Sequence, residues 1–562
     1  MKRRVLATLG GVLLLSGAFM APARAQETAA PNPEIERLKA QLAAQQEQID
    51  QLRRVLDEQK KILDRASQPK EEQPKVAEQA SQPKPPSLGQ LASTTAMVPA
   101  GEAEPVLHPG VAAALAIPQS DTEPASPLQL HIGTATITPI GFMDLTSVFR
   151  SVDGGSGIGT SFGSIPYNNV STGLGKLSEE RFSAQNSRIG ARIDALVHGM
   201  KVLAYWESDF LGTQATNAGV TSNSNSFRMR LYFVDLRKGQ WEILGGQSWS
   251  MMTPGRVGIS PLPSDIFYSQ NMDTNYQVGL TWTRAPQFRA VYHASDVVTL
   301  GFALEAAEQY GGGASGGGAI VLPTLLATPY TNTQIDLGAA TFTPPNLIPD
   351  VQAKIAFDPK VNGNLFHIEF GGVLSAFKTY NPLTSQSFTK EGGGGEANFN
   401  LELLKGFHLI VNTFLSDGGG RYLYGQAPDL IVNGNGAPSP LHASSAIGGF
   451  EYTTHNTLLF AYYGGDYIGR DVSEDPGNKD AFIGYGYPKS ANSQNRTIQE
   501  ATFGLNQTFW KNPNYGALSF IFQYSYLFRN PWYVAAGAPR DAHASMVFVD
   551  LRYTLPGQAP HY

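Results

Sequence analysis

The stretch SRIGARIDALVHGMKVLAYWESDF (187–210) sets Arg188, Arg192 and Asp194 on one parity and Ile189, Ala191 and Ile193 on the other. Beyond the turn at 197–200 the alternation resumes, with Glu207 and Asp209 against Trp206 and Phe210. Successive side chains of a strand point to opposite faces, so these are two consecutive strands, each with one polar and one apolar face. The question is which solvent the apolar face meets.

The chain has 562 residues, 42% of them apolar and 16% charged, with no cysteine and a formal charge of −6. So weak an acidic balance gives no argument for nucleic acid or for an acidic partner. The 59 glycines, 23 tyrosines and 29 phenylalanines fit many short strands, turns and aromatic bands. Without cysteine there is no disulfide framework and no lipid-bearing N-terminal cysteine, so packing and hydrogen bonds must supply the stability.

Lys2, Arg3 and Arg4 precede an apolar run from Val5 to Phe19, and Ala23-Arg24-Ala25 offers a small-x-small cleavage site, so residues 1–25 read as a secretory signal peptide. The run is shorter than the ~20 residues that cross a bilayer as a helix. Next, Asn32 can cap a helix that opens at Pro33, and Ile35, Leu42, Ile49, Leu56 and Leu63 recur every seven residues. Leu38, Gln45, Leu52 and Gln59 take the intervening core positions, and Val55 and Ile62 widen the stripe, so 32–66 is predicted to be a coiled-coil helix, better suited to three strands than two. A lone amphipathic helix packed on its own domain is the competing reading. Residues 67–127 are rich in Pro, Ser, Gln and Ala, repeat SQPK, and read as an extended linker that cannot bury a core.

From 128 to 556 the period is two. Val351, Ala353, Ile355 and Phe357 alternate with Gln352, Lys354 and Asp358; Phe366, Ile368 and Phe370 alternate with His367 and Glu369. Phe520, Phe522 and Tyr524 alternate with Ser519, Gln523 and Ser525, and Val549, Leu551 and Tyr553 with Asp550, Arg552 and Thr554. Tight turns at 197–200, 238–239, 294–296, 405–406, 455–456 and 512–515 largely alternate with long Gly-, Ser-, Asn- and Pro-rich connections at 151–178, 212–225, 250–275, 311–347, 424–441 and 468–496. One end of a meander is trimmed and the other elaborated. A soluble sandwich would alternate as well. Large aromatics near the strand ends on the apolar parity (Trp206, Phe210, Phe233, Phe509, Tyr524, Tyr526, Tyr553) instead match rings at lipid headgroup level. A sheet in lipid must close on itself, because lipid offers its backbone no hydrogen bonds. The fold class is therefore all-β: an antiparallel transmembrane β-barrel of about sixteen strands, preceded by the coiled-coil helix and followed by a short tail, 557–562.

Candidate chemistry is sparse. Two G-x-S-x-G matches, at 159–163 and 313–317, lie inside glycine-rich loops and not on a strand-turn-helix elbow. His367 and Glu369 share a face, but with no third ligand in view they read as a lumen pair, not a metal site. No enzyme activity, cofactor or metal is expected. More informative is the lumen parity of strands two to four: Arg188 and Arg192, then Glu207 and Asp209, then Arg228 and Arg230, with Arg289 further on. Fixed charges of this kind either select solutes by charge or pair locally and stiffen the wall. The loop 250–275, SMMTPGRVGISPLPSDIFYSQNMDTN, carries Ile259, Leu262 and Ile266 and can pack inside, placing Arg256 and Asp265 at a constriction; a surface loop is the alternative.

GQSWS (246–250), PQFRAVY (286–292) and SDGGGRYL (416–423) resemble segments of the DcaP-like trimeric porins of Gram-negative outer membranes. The resemblance implies a cleaved signal, a periplasmic coiled coil, a sixteen-stranded barrel, a homotrimer in outer-membrane lipid, and passive uptake of small hydrophilic solutes, anionic dicarboxylates among them. This chain departs from the family in its long Pro-rich linker and in the tail GQAPHY beyond the last strand. An outer-membrane barrel enzyme, or an adhesion or envelope-tethering protein whose coiled coil meets peptidoglycan or another periplasmic partner, are the other classes in view.

Overall fold

The computed structural model describes residues 128–168, 173–212, 226–266, 270–338 and 344–556. The predicted signal peptide, coiled coil, linker and tail lie outside these residues. Nineteen strands share one hydrogen-bonded sheet. Three of them are short extensions or flanks, Leu130–Ile132, Glu179–Ser183 and Lys360–Val361, which leaves sixteen staves.

These are β1 (Ala135–Arg150), β2 (Arg188–Val197), β3 (Met200–Asp209), β4 (Arg228–Lys238), β5 (Trp241–Trp249), β6 (Arg284–His293), β7 (Val298–Glu305) and β8 (Asp350–Phe357). They continue as β9 (Asn364–Asn381), β10 (Gln386–Leu404), β11 (Phe407–Asp417), β12 (His442–Thr454), β13 (Thr457–Ile468), β14 (Asn495–Asn512), β15 (Gly516–Pro531) and β16 (Ala542–Thr554). Each pairs antiparallel with its neighbour in sequence, and β16 returns to β1 with Leu551 opposite Leu145, closing the barrel without an edge.

The parity read from the sequence is the parity of the wall except at Phe233, expected outward, which is buried and stacks on Tyr205 inside the barrel because a bulge between Met229 and Leu231 shifts the register of its strand. Ile189, Ile193, Trp206, Phe520 and Leu551 face outward, while Arg188, Glu207 and Asp209 face the lumen. Outward apolar side chains stay open: Met143 is 51% exposed, Leu374 65%, Leu415 63% and Phe503 54%. A water-facing wall carrying so many large apolar groups would aggregate, so this belt needs lipid.

The predicted tight turns join strands at one end, and the long connections join them at the other. An unpredicted exception is the short 382–385 turn between β9 and β10, where two strands of 18 and 19 residues extend the wall itself. The long connections build a core of their own. Ile158, Phe162 and Ile165 pack with Leu322, Leu326, Tyr330, Leu430, Ile431, Val432 and Tyr485 in one buried cluster. Asp429 lies within it, accepting hydrogen bonds from the backbone of Arg421 and Tyr310, and burial pushes its carboxyl up to about 8. Glycine-rich composition here serves close backbone approach: a Cβ on Gly163 would lie 2.3 Å from the Gly316 carbonyl oxygen. The two G-x-S-x-G segments are thus packed on each other, and among the described residues no histidine hydrogen-bonds to Ser161 or Ser315.

Candidate functional site

The connection from β5 to β6 leaves one wall and crosses to the other. Its first part sits on β8 and β9, where Gly255 N donates to Glu369 Oε1 at 3.0 Å and Lys354 Nζ donates to the Thr253 carbonyl at 3.1 Å. Arg256 then forms a two-pronged ion pair with Glu451 on β12, at 2.8 and 2.9 Å. The return part lies on β11 to β14: Thr281 N donates to Asn412 Oδ1 at 2.8 Å and Val278 N to Glu500 Oε2 at 3.1 Å. A Cβ at Gly464 would come within 1.9 Å of the Val278 carbonyl oxygen, so only glycine lets this backbone lie flat on the wall. Ile259, Leu262 and Ile266, the apolar residues that suggested in-folding, are 5 to 7% exposed.

On the facing wall the sequence-predicted charges Arg188, Glu207, Asp209, Arg228 and Arg230 come together. Arg230 binds Glu207 at 2.7 Å and Asp209 at 2.9 Å, and Arg228 binds Asp209 at 2.7 Å. Arg188 is 3.8 Å from Glu207 and contacts the Tyr276 hydroxyl, to which Arg230 donates at 3.1 Å. The acids are therefore engaged by their neighbours. The strand order explains this, since β3 lies between β2 and β4 and its inward acids are flanked on both sides by arginine.

The other predicted residues lie apart from this group. Arg192 closes on Asp194 of its own strand at 2.7 Å, and Arg289 is held by Gln287 Oε1 and the Trp249 carbonyl. Asp265 accepts from Ser260 at 2.8 Å and Ser264 at 3.1 Å within its own loop. His367 bridges Asp358 at 2.8 Å and Glu369 at 3.2 Å, and the Lys354 ammonium lies 2.8 Å from Glu369, so the pair belongs to an ionic network beneath the in-folded segment.

Sequence reading missed Arg284 and the aromatic residues around it. As the first residue of β6, Arg284 lies where the chain re-enters the wall from the lumen, and strand parity does not determine its direction. Its guanidinium is 5.4 Å from the Trp249 ring and 5.9 Å from that of Trp282. Trp282 stacks on Tyr424 at 4.7 Å and meets Tyr276 edge-on at 5.1 Å. No carboxylate ion-pairs with Arg284 among the described residues, and the buried Trp282 indole N–H has no acceptor there. Burial alone would raise the Tyr276 hydroxyl, but the Arg230, Arg188 and Arg284 guanidiniums hold it below its ordinary range. Three guanidiniums thus act on that phenol, and with Arg228 the group sets four arginines against the carboxylates of Glu207 and Asp209, a local excess of positive charge. The GQSWS and PQFRAVY segments, which flank the in-folded connection, could have pointed here, because both strands converge on Trp249 and Arg284.

Among solved structures, the outer membrane channel DcaP of Acinetobacter baumannii is 16% identical, with a TM-score of 0.53 over 75% of this chain and 97% of that one. The chain has the fold of the DcaP channel. An anion-selective porin from Comamonas acidovorans aligns at 12% identity and TM-score 0.41, over 75% of this chain and 99% of that one. Pseudomonas putida OprB aligns at 11% and 0.41, over 74% and 94%. No family model and no curated protein matches the chain. The alignment covers nearly all of the DcaP channel chain and leaves a quarter of this one unmatched.

Proposed function

We propose that the chain is an outer-membrane porin giving passive diffusion to small hydrophilic solutes, with a preference for anions such as dicarboxylates. The observation that carries the anion preference is the surplus of arginine on the wall facing the in-folded segment: Arg188, Arg228 and Arg230 share the two carboxylates of Glu207 and Asp209, and Arg284, which makes no ion pair among the described residues, lies against the Trp249 and Trp282 rings. Guanidinium stays charged at any physiological pH and binds carboxylate with two parallel hydrogen bonds. The β5–β6 connection would narrow the lumen against this wall. In that arrangement Arg256 and Asp265 are braces, because their charges are already taken up by Glu451 and by two serine hydroxyls. Arg188, Arg228 and Arg230 would line the path together with Arg284, while Arg192 and Arg289 stiffen the wall.

Liposome swelling with neutral and charged sugars tests the channel, and reversal potentials across a salt gradient test the preference. Replacing Arg284 with glutamine removes a charge without stranding an acid. One charge ~10 Å from a passing ion is worth about 0.4 kcal/mol in water, and its loss disfavours anions and favours cations by that amount each, so the anion-to-cation permeability ratio should fall roughly fourfold. A cation-selective wild type, or an unchanged ratio in R284Q, would remove the arginine wall from the mechanism and leave the pore in place.

The remaining organisation follows the sequence: residues 1–25 cleaved as a signal, 32–66 a parallel trimeric coiled coil in the periplasm, and 67–127 a tether to a trimer of barrels. A peptide of residues 32–66 should sediment as a trimer at equilibrium. A monomer at high concentration would deny the helix this part.

A further inference from the structure

At the loop-bearing end of the barrel, Trp532 follows β15 and sits beside the ends of β13 and β14. It is fixed there: its backbone N–H donates to the Gln494 carbonyl at 3.1 Å and its indole N–H to the Ile468 carbonyl at 3.1 Å. Gly486, at φ +73°, makes the room, since a Cβ there would lie 2.8 Å from the indole and 2.7 Å from the Arg470 Cβ. Two arginines use the ring as a platform, with the Arg496 guanidinium 5.2 Å and that of Arg470 5.5 Å from its centroid. Both side chains are exposed, and neither makes an ion pair among the described residues. This is unusual for the molecule, whose lumenal arginines are largely tied to carboxylates or carbonyls.

The position decides what such a pair can bind. Tyr467, opposite Thr497 on the outward parity, meets the Trp532 ring edge-on at 6.3 Å. Below it on the same outward face lie Tyr463, 54% exposed, and Tyr526, 39% exposed. Outward aromatic rings mark the lipid headgroup level of a barrel wall. Arg470 and Arg496 therefore stand at the height of outer-leaflet headgroups, outside the lumen, on a surface facing lipid and not solute.

We infer that Arg470, Arg496 and Trp532 form a clamp for the phosphate of an anionic outer-leaflet lipid. Guanidinium matches phosphate in planar, two-pronged geometry, and stacking on an indole pre-positions it so that less side-chain entropy is lost on binding. The acyl chains would run down the apolar belt beneath, past Tyr463 and Phe503, both more than half exposed. The inference concerns the outer wall and holds for whichever ion the lumen prefers.

The test uses the full chain in detergent, titrated with diphosphorylated lipid A and followed by native mass spectrometry. Folding is checked by the heat-dependent gel mobility of an intact barrel. Replacing both arginines, R470Q with R496Q, should weaken binding about tenfold, the loss expected for a few charge-assisted hydrogen bonds. Trp532→Leu keeps the charges, removes the platform, and should weaken binding less. Raising the salt concentration should weaken wild-type binding toward that of the double variant. Equal binding of dephosphorylated lipid A, or undiminished binding by the folded double variant, would overturn the clamp. Displacement by inorganic phosphate at the same concentration as the lipid would also overturn it, by reassigning the site to small anions. A change of oligomer in place of lipid occupancy would mark the surface as a subunit contact and overturn it too.

Discussion

Replacing Glu451 with glutamine should destabilise the barrel by about 2–3 kcal/mol and make its channel current noisy, because it leaves the Arg256 guanidinium inside the lumen without its counter-charge. The pair is two-pronged, at 2.8 and 2.9 Å, and Tyr462 adds a third hydrogen bond to the same carboxylate at 2.7 Å. Breaking a buried pair by removing one partner costs about 3–5 kcal/mol. The lower figure applies here, since the Arg256 side chain keeps 16% exposure and glutamine still offers an acceptor. Arg256 is also one of the points where the β5–β6 connection is tied to the far wall, so the loss should loosen the first part of the segment, which then keeps only the hydrogen bonds of Gly255 to Glu369 and Gly258 to Asp358 near it. Urea unfolding in lipid gives the energy, and single-channel recording gives the motion. The double variant R256A with E451A should recover part of the stability but not the quiet current, since it removes the stranded charge without restoring the tie. A quiet, fully stable E451Q channel would mean the segment is held elsewhere.

Arginine at Leu551, one outward position in from the headgroup-level Tyr553, should cost about 1–2 kcal/mol, between the cost of a charge at the bilayer interface and that at the midplane. Leu551 is 46% exposed and lies in register with Leu145 on β1 and Phe520 on β15, so the new guanidinium would stand between two outward apolar side chains. The measurement is reversible urea unfolding in phospholipid vesicles. Arginine at Ser519, one residue from Phe520 but on the lumen parity, is the control and should cost less. Wild-type stability in L551R, or a wild-type chain that stays monomeric in water without detergent, would show that the belt does not face lipid.

Each of these effects depends on knowledge of a different kind. That Leu551 faces outward was legible from the alternation around it, because lipid outside and water or polar groups inside act on every second residue independently of the rest of the fold. Ile189, Ile193 and Trp206 follow the same rule. The turns were legible for a similar local reason: His198-Gly199 and His455-Asn456 connect adjacent strands, and positive φ at His198, Gly199 and His455 is a property of those few residues. The 382–385 turn carries a local signal as well, Asn381-Pro382 followed by Ser385 at positive φ, but its place among the long connections is unexpected because its strands run longer than the membrane requires.

The charges divide along the same line. Arginine on the lumen parity of β2 and β4 could be read from spacing, and so could acids on β3; their pairing follows from strand order and was one of two open readings. Nothing near Arg256 announces Glu451, which is 195 residues away. Nothing near Val278 announces Glu500, 222 residues away, or the bare glycine at 464 on which the segment rests. Arg284 sits at the end of a strand, where parity ceases to determine direction, and its aromatic surroundings come from three separate stretches of chain. The sequence by itself thus determined the wall, its two solvents and its trimmed and elaborated ends, since a repeating two-residue preference is a local quantity that each strand carries alone. The course of the β5–β6 connection through the lumen, and with it which arginines keep an unmatched charge, was decided only by the tertiary structure. Those contacts join strands on opposite walls, and they exist only once the sheet has closed.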